Sequence, residues 1–397
     1  MDSITLYTEE IDDLDEAVEE LFSQAADFRF RKNSMAIVFV EEETEYSKLY
    51  AGLRRKWDFP IMGCTSLAMF TGKEGYCPMG ISMMILSADD CEFSVCMTDE
   101  LDRDNYRDEL TRAYRQAESG LSSPVKLILS YGGMVTNERH VAGDDIVKVL
   151  DELGKGAPVY GGTASDGFTF SGFQVLCNKD VTHNGQVMAL VAGNVKPWFM
   201  CINSVENKAH FSYEITESKS NVVYRLGSTT FVDALKKEGM ETDKTDVLGD
   251  YILSPFIVTL EKGDGDTVEI ARNLSVLNHE TGTGSFLGVM PEGSRVTIGI
   301  LNRDDVHRTV REVFDKANLA LKEDRSRHTL LCNSCCARFL ALANNTSAEV
   351  NTYMGRLPEG VSFMGYYAYG EYCPMKGMKT GKEYNNFHNF TFTLLIM

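Results

Sequence analysis

The sequence predicts a mixed α/β (α+β) fold: two domains built from repeated strand–helix–strand units, with packed mixed β-sheets flanked by helices. Three observations predict it. A short apolar run followed by an amphipathic helix occurs three times along the chain. Each copy ends in a proline, then a glycine that opens a second apolar run. Other segments alternate apolar and polar residues like antiparallel strands. Such a mixture implies sheets with helices packed on them rather than a pure doubly wound sheet.

The elements follow in order. A helix is expected over 12–28. The leading strands of the three units are MAIVFV from Met35, VKLILS from Val125 and HTLLCNS from His328. The helices behind them place apolar residues at i, i+3, i+4 and i+7. These are Tyr46, Leu49, Tyr50 and Leu53, then Ile146, Val149, Leu150 and Leu153, then Val350, Tyr353, Met354 and Leu357. Thr346 and Glu349 read as a capping box ahead of the third helix, and Gly154 as the stop of the second. Pro60, Pro158 and Pro358 break the helices. Gly63, Gly161 and Gly365 follow 10, 8 and 8 residues after Leu53, Leu153 and Leu357. A glycine there permits a positive φ or a close approach of two backbones. Further strands are expected at GFQVLCN, QVMALVAG, WFMCINSV, FIVTLEK, VEIARNLSVLN, RVTIGILN and NFTFTLLIM, and helices over 229–238 and 305–321. The domain boundary is expected between His210 and Leu226, giving domains 1–222 and 223–397.

Length and charge narrow the function. A chain of 397 residues suits two or three domains at roughly 150 residues each. With 58 acidic against 39 basic residues the formal charge is −19, which repels phosphate backbones and anionic lipid. Neither nucleic acid nor membrane is expected as a partner. The acidic start lacks the layout of a signal peptide, and no run reaches the ~18 apolar residues of a spanning helix. The expected location is the cytoplasm, where the ten cysteines stay reduced; no disulfide and no zinc are expected.

The joints and the segments around them resemble the FIST family, the paired FIST N and FIST C sensory modules, over about Met35 to Met397. In the first module the resemblance rests on Gly63-Cys64-Thr65-Ser66 and on the run Pro158 to Asp166 with Gly161, Gly162 and Thr163. At the junction it rests on Ile215-Thr216 and on Asn221 to Gly227, where the usual Asp-Gly is missing. In the second module it rests on Pro291-Glu292-Gly293, Arg303-Asp304, Ser334 to Arg338, Gly365 to Glu371, and Phe387-His388-Asn389-Phe390-Thr391. The resemblance implies a non-catalytic sensor that binds a small molecule, an amino acid among the candidates. It would act through a signalling partner such as a histidine kinase or a cyclase. No cofactor is expected; the alternative is a haem-based nitric-oxide sensor, and a third reading is a cysteine-dependent hydrolase or transferase.

The resemblance carries over a site of Gly63, Cys64, Gly161, Gly162, Thr163, Asp166, Cys335, Arg338, Gly365, Gly370, Glu371, His388 and Asn389. Arg338 with Glu371 can grip the two ends of a zwitterion, or serve as a pair that fastens two strands. Cys332, Cys335 and Cys336 have CxxC spacing, but residues three apart in a strand point to opposite faces and a second half-site is missing. His388 and His328 are candidate bases for a thiol nucleophile. The joint Gly161-Gly162-Thr163 leads from a helix into a strand, the reverse of the order that puts a phosphate on a helix N-terminus.

Overall fold

The computed structural model describes residues 1–133, 141–324 and 328–397. The three expected units are present. Each leading strand, Asn33–Val40, Val125–Gly132 or Thr329–Cys335, pairs in parallel with its own second strand, Ile61–Thr65, Val159–Thr163 or Ser362–Ala368. Parallel pairing requires a crossover, supplied by the helices Tyr46–Lys56 and Gly143–Gly154 and, in the third unit, by the short helices Cys336–Ala341 and Ala348–Met354. The second helix does end at Gly154, with Lys155 left-handed behind it.

The glycines occupy matching places. Gly63 pairs with Val38, Gly161 with Ser130 and Gly365 with Cys332. A Cβ on Gly63 would lie 1.7 Å from the Val38 carbonyl oxygen, and one on Gly161 1.9 Å from that of Ser130. The second strand thus approaches its partner too closely for any side chain. At Gly365 the obstacle is the Phe70 ring at 1.9 Å.

Three six-stranded sheets share one plan: edge strand, antiparallel strand, leading strand, second strand, then a two-stranded hairpin. The hairpins are exchanged cyclically. That of the first unit, Met69–Thr71 with Gly75–Cys77, completes the third sheet, and that of the second, Val175–Cys177 with Asp180–Thr182, completes the first. That of the third, Glu371–Lys376 with Glu383–His388, completes the second sheet. The sheets therefore cut across a division at residue 222, which falls just inside the hairpin of Asn207–Lys219 and Val222–Leu226. An inner core draws on all three sheets. At its centre Phe39, Tyr131 and Tyr366, one from each, meet with ring centroids 4.3–5.7 Å apart.

A fourth, eight-stranded sheet with its own core is inserted between the edge strand Trp198–Asn203 and the helix Arg303–Glu323 of the third unit. Arg272 at its border is fully buried and meets Asp144 of the second unit's helix at 2.6 Å, while Asp144 also accepts the Val289 amide at 2.8 Å. Among the described residues no helix is long and apolar enough to cross a membrane.

One expected cap is absent. The helix Ala348–Met354 begins behind Ser347, which makes no side-chain cap bond, because the Glu349 carboxylate is held in the core. The capping box lies instead at Asn302 and Asp305, ahead of the long helix.

Candidate functional site

Arg338 does not face Glu371. It sits in the short helix that follows the strand of Cys332 and Cys335, fully buried, and meets Glu349 at 2.6 Å. Its remaining donors go to Ser334, the Ser204 hydroxyl and the Val306 carbonyl, and its guanidinium lies 5.3 Å from the Phe392 ring centroid. Glu349 also accepts from the Tyr367 and Ser334 hydroxyls. With both partners saturated inside the core, the pair is a fastening between the third unit's helices and its sheet. The expected Arg338–Glu371 grip on a ligand is overturned. Sequence left Glu349 in a cap; its position beside Val350 and Tyr353, on the apolar side of the helix, was the available sign.

The joints do converge. The Ser165 amide reaches the Thr65 carbonyl at 3.1 Å, the Thr163 amide reaches that of Gly370 at 2.8 Å, and the Ser165 hydroxyl reaches that of Tyr367 at 2.5 Å. Gly162 pairs with Glu371 across the exchanged hairpin. Space beside Gly162 is closed by the Gly370 carbonyl and the Tyr366 hydroxyl. Asp166 is fully buried and spent on its own loop: it accepts amides of Thr169, Phe170, Ser171 and Gly172 and the Tyr369 hydroxyl. Burial works against its charge, but these bonds hold its pKa below the usual value. Gly63 and Cys64 lie in the first sheet, where burial pushes the Cys64 thiol up.

Cys335, Glu371, His388 and Asn389 form a second, less satisfied group. Glu371 and His388 are opposite one another in the hairpin, and both are fully buried. One Glu371 oxygen accepts from the Thr391 hydroxyl at 2.6 Å; the other has no partner. Burial therefore holds Glu371 well above the usual carboxylate range, despite the Thr391 bonds. His388 Nε2 lies 2.9 Å from the Cys373 carbonyl oxygen, and its Nδ1 has no partner of ordinary geometry. Asn389 Oδ1 is likewise unpartnered. The three unpartnered atoms fall on Glu371, on His388 opposite it and on the next residue, where buried polar atoms are ordinarily paired.

The same group includes Cys201 and Cys373, and Cys201 carried no motif in the sequence. All ten thiols are free. Burial pushes nine of them up. For Cys201 burial acts the same way, but the neighbouring Cys373 and His388 side chains outweigh it and hold the thiol below the usual cysteine value. Among the described residues no three His, Cys, Asp or Glu side chains are placed to hold a metal.

Two clefts flank the hairpin strand Glu371–Lys376. One, of about 640 Å³, lies between the helix Gly143–Gly154 and residues of the second half. Its lining carries Asp144, Lys148 and Asp151 on one side and Lys262, Lys382 and Glu383 on the other. Burial lowers the Lys262 pKa, and Asp144 and Asp151 work against that. The other cleft, of about 510 Å³, is lined by Cys201.

The family model described as FIST N domain matches residues 34–229, and that described as FIST C domain matches residues 233–374. No curated protein matches the chain. The two family matches adjoin and take in the three repeated units, the exchanged hairpins of the first two and the inserted sheet, and the family's domains are sensory domains of signal transduction; the chain belongs to the FIST family.

Proposed function

We propose that this protein is a cytoplasmic sensor that binds a small zwitterion of the amino-acid class in the charged cleft, and passes its occupancy to a separate signalling protein such as a histidine kinase or cyclase. The observation that carries the reading is the cleft's lining. Residues of both family-matched segments supply both signs of charge across about 640 Å³, within the range of small-molecule sites at roughly 300–1,000 Å³. A carboxylate is placed against Lys262 and Lys148, an ammonium against Asp151 and Glu383. Lys262 is the sharpest element, since a partly desolvated ammonium gains most from an arriving carboxylate.

A ligand that binds only the folded state stabilises it by about 2.7 kcal/mol at a hundredfold excess over Kd. Thermal unfolding against the free amino acids at millimolar concentration tests this. A rise in Tm with one ligand, lost in Lys262→Met, is the expected result. No shift with any amino acid at up to about 10 mM, roughly 10⁴ Kd for a micromolar site, would sink the amino-acid reading.

A further inference from the structure

The edge strand Trp198–Asn203 lies against the hairpin strand Glu371–Lys376, which sets Cys201 beside Cys373. The Cys373 Sγ lies 3.9 Å from the carbonyl oxygen of Met200, the residue before Cys201. The two cysteines therefore sit side by side on neighbouring strands. His388 closes the group, fully buried, with Nε2 on the Cys373 carbonyl and Nδ1 without a partner of ordinary geometry. Cys201 is the one cysteine of the ten that is half-buried rather than fully buried, and its residue lines the second cleft with Glu269, Lys316 and Lys376. A half-buried cysteine lining a cleft, a second cysteine on the neighbouring strand and a histidine beside them is the arrangement of a redox pair.

We propose that Cys201 and Cys373 are a hydroperoxide-oxidisable dithiol, with Cys201 the attacking sulfur and Cys373 the resolving one. The Cys201 thiolate attacks the distal oxygen of a hydroperoxide. An S–O bond forms, the O–O bond breaks, and the alcohol, or water from hydrogen peroxide, leaves with a proton. The sulfur is now a sulfenic acid, oxidised by two electrons. The Cys373 thiol then attacks that sulfur; an S–S bond forms, the S–O bond breaks, and water leaves carrying the thiol proton. Two thiols and one hydroperoxide thus give one disulfide, one alcohol and one water. The cross-link ties the edge strand to a hairpin whose Pro374 and Glu383 line both clefts, which makes oxidation an input distinct from the amino-acid site.

The test uses the whole chain and hydrogen peroxide at one to five equivalents, with thiols then blocked by N-ethylmaleimide and peptides mapped by mass spectrometry. A Cys201–Cys373 linked peptide, lost with dithiothreitol, is expected. Cys373→Ser should give no link and a dimedone adduct on Cys201; Cys201→Ser should leave Cys373 as a thiol. Peroxide that leaves both residues free, or that links either to another cysteine, overturns the proposal. A second measurement is independent of any link. Iodoacetamide alkylation of an ordinary thiol of pKa ~8.5 rises about 20-fold between pH 6.5 and 8. That of Cys201 should change by less than about twofold, and His388→Gln should restore the ordinary slope while secondary structure by circular dichroism is retained. An ordinary slope at Cys201 in the unaltered protein removes it as the attacking sulfur.

Discussion

Arg338 and Glu349 meet at 2.6 Å in the core, with side chains 0% and 1% exposed. Taking one partner away leaves the other as an uncompensated buried charge, which costs about 3–5 kcal/mol. Arg338→Met and Glu349→Leu should each lower the stability measured by urea unfolding by that amount. The double substitution should recover most of the loss, because two apolar side chains of similar volume replace the pair. Either single variant with an unchanged midpoint would show that the pair is not the fastening described.

Asp144 and Arg272 join the second unit's helix to the inserted sheet. Asp144→Ala strips a buried guanidinium of its carboxylate and leaves the Val289 amide without its acceptor. A loss of about 3 kcal/mol is expected, with the added effect that the inserted sheet exchanges its amide hydrogens faster than the three main sheets. Uniform exchange across all four sheets would contradict this division of stability.

Gly63 and Gly161 admit no Cβ, since each would drive it to within 2 Å of a partner-strand carbonyl oxygen. Gly63→Ala and Gly161→Ala should lose more than about 3 kcal/mol or fail to fold, well beyond the propensity cost of a glycine replacement, about 1 kcal/mol. A Cβ on Gly249 would have nothing within 4 Å, so Gly249→Ala should be neutral to mildly stabilising. Far-ultraviolet circular dichroism with thermal melts on the three variants compares them directly.

Glu371 imposes a pH dependence whose sign follows from its burial. Its folded pKa is raised, so the folded chain binds this proton more tightly than the unfolded one. From the ordinary glutamate value, about 4.3, up to the raised value, stability falls as pH rises. Glu371→Gln removes this decline, of up to about 1.4 kcal/mol per pH unit, and should gain on the unaltered protein between pH 5 and 7.5. Parallel stability curves for the two proteins would rule out a buried, protonated Glu371.

The repeated unit was legible in the sequence because it is written in short spacings. Apolar stripes at i, i+3, i+4 and i+7, a proline and a glycine determine strand, crossover helix and second strand wherever the chain lies in space. The paired strands and crossover helices of the three units, and four of the residues in the polar centre, Cys335, Glu371, His388 and Asn389, were reached in that way or through the family resemblance, whereas the strands Asp2–Thr8, Ile81–Ala88 and Cys91–Met97 and the helix Tyr106–Glu118 were not. Partnership across the fold was not. Arg338 stands 11 residues from Glu349 and 33 from Glu371; the choice between them depended on how the third unit's helices turn back onto their sheet. Cys201 and Cys373 lie 172 residues apart and meet only because hairpins are exchanged between sheets. Sequence alone therefore determined the units and most of the chemistry-bearing residue types. Tertiary structure decided which charges neutralise one another and which cysteine is left half-buried at a cleft, because burial and proximity are properties of the assembled sheets rather than of any local run.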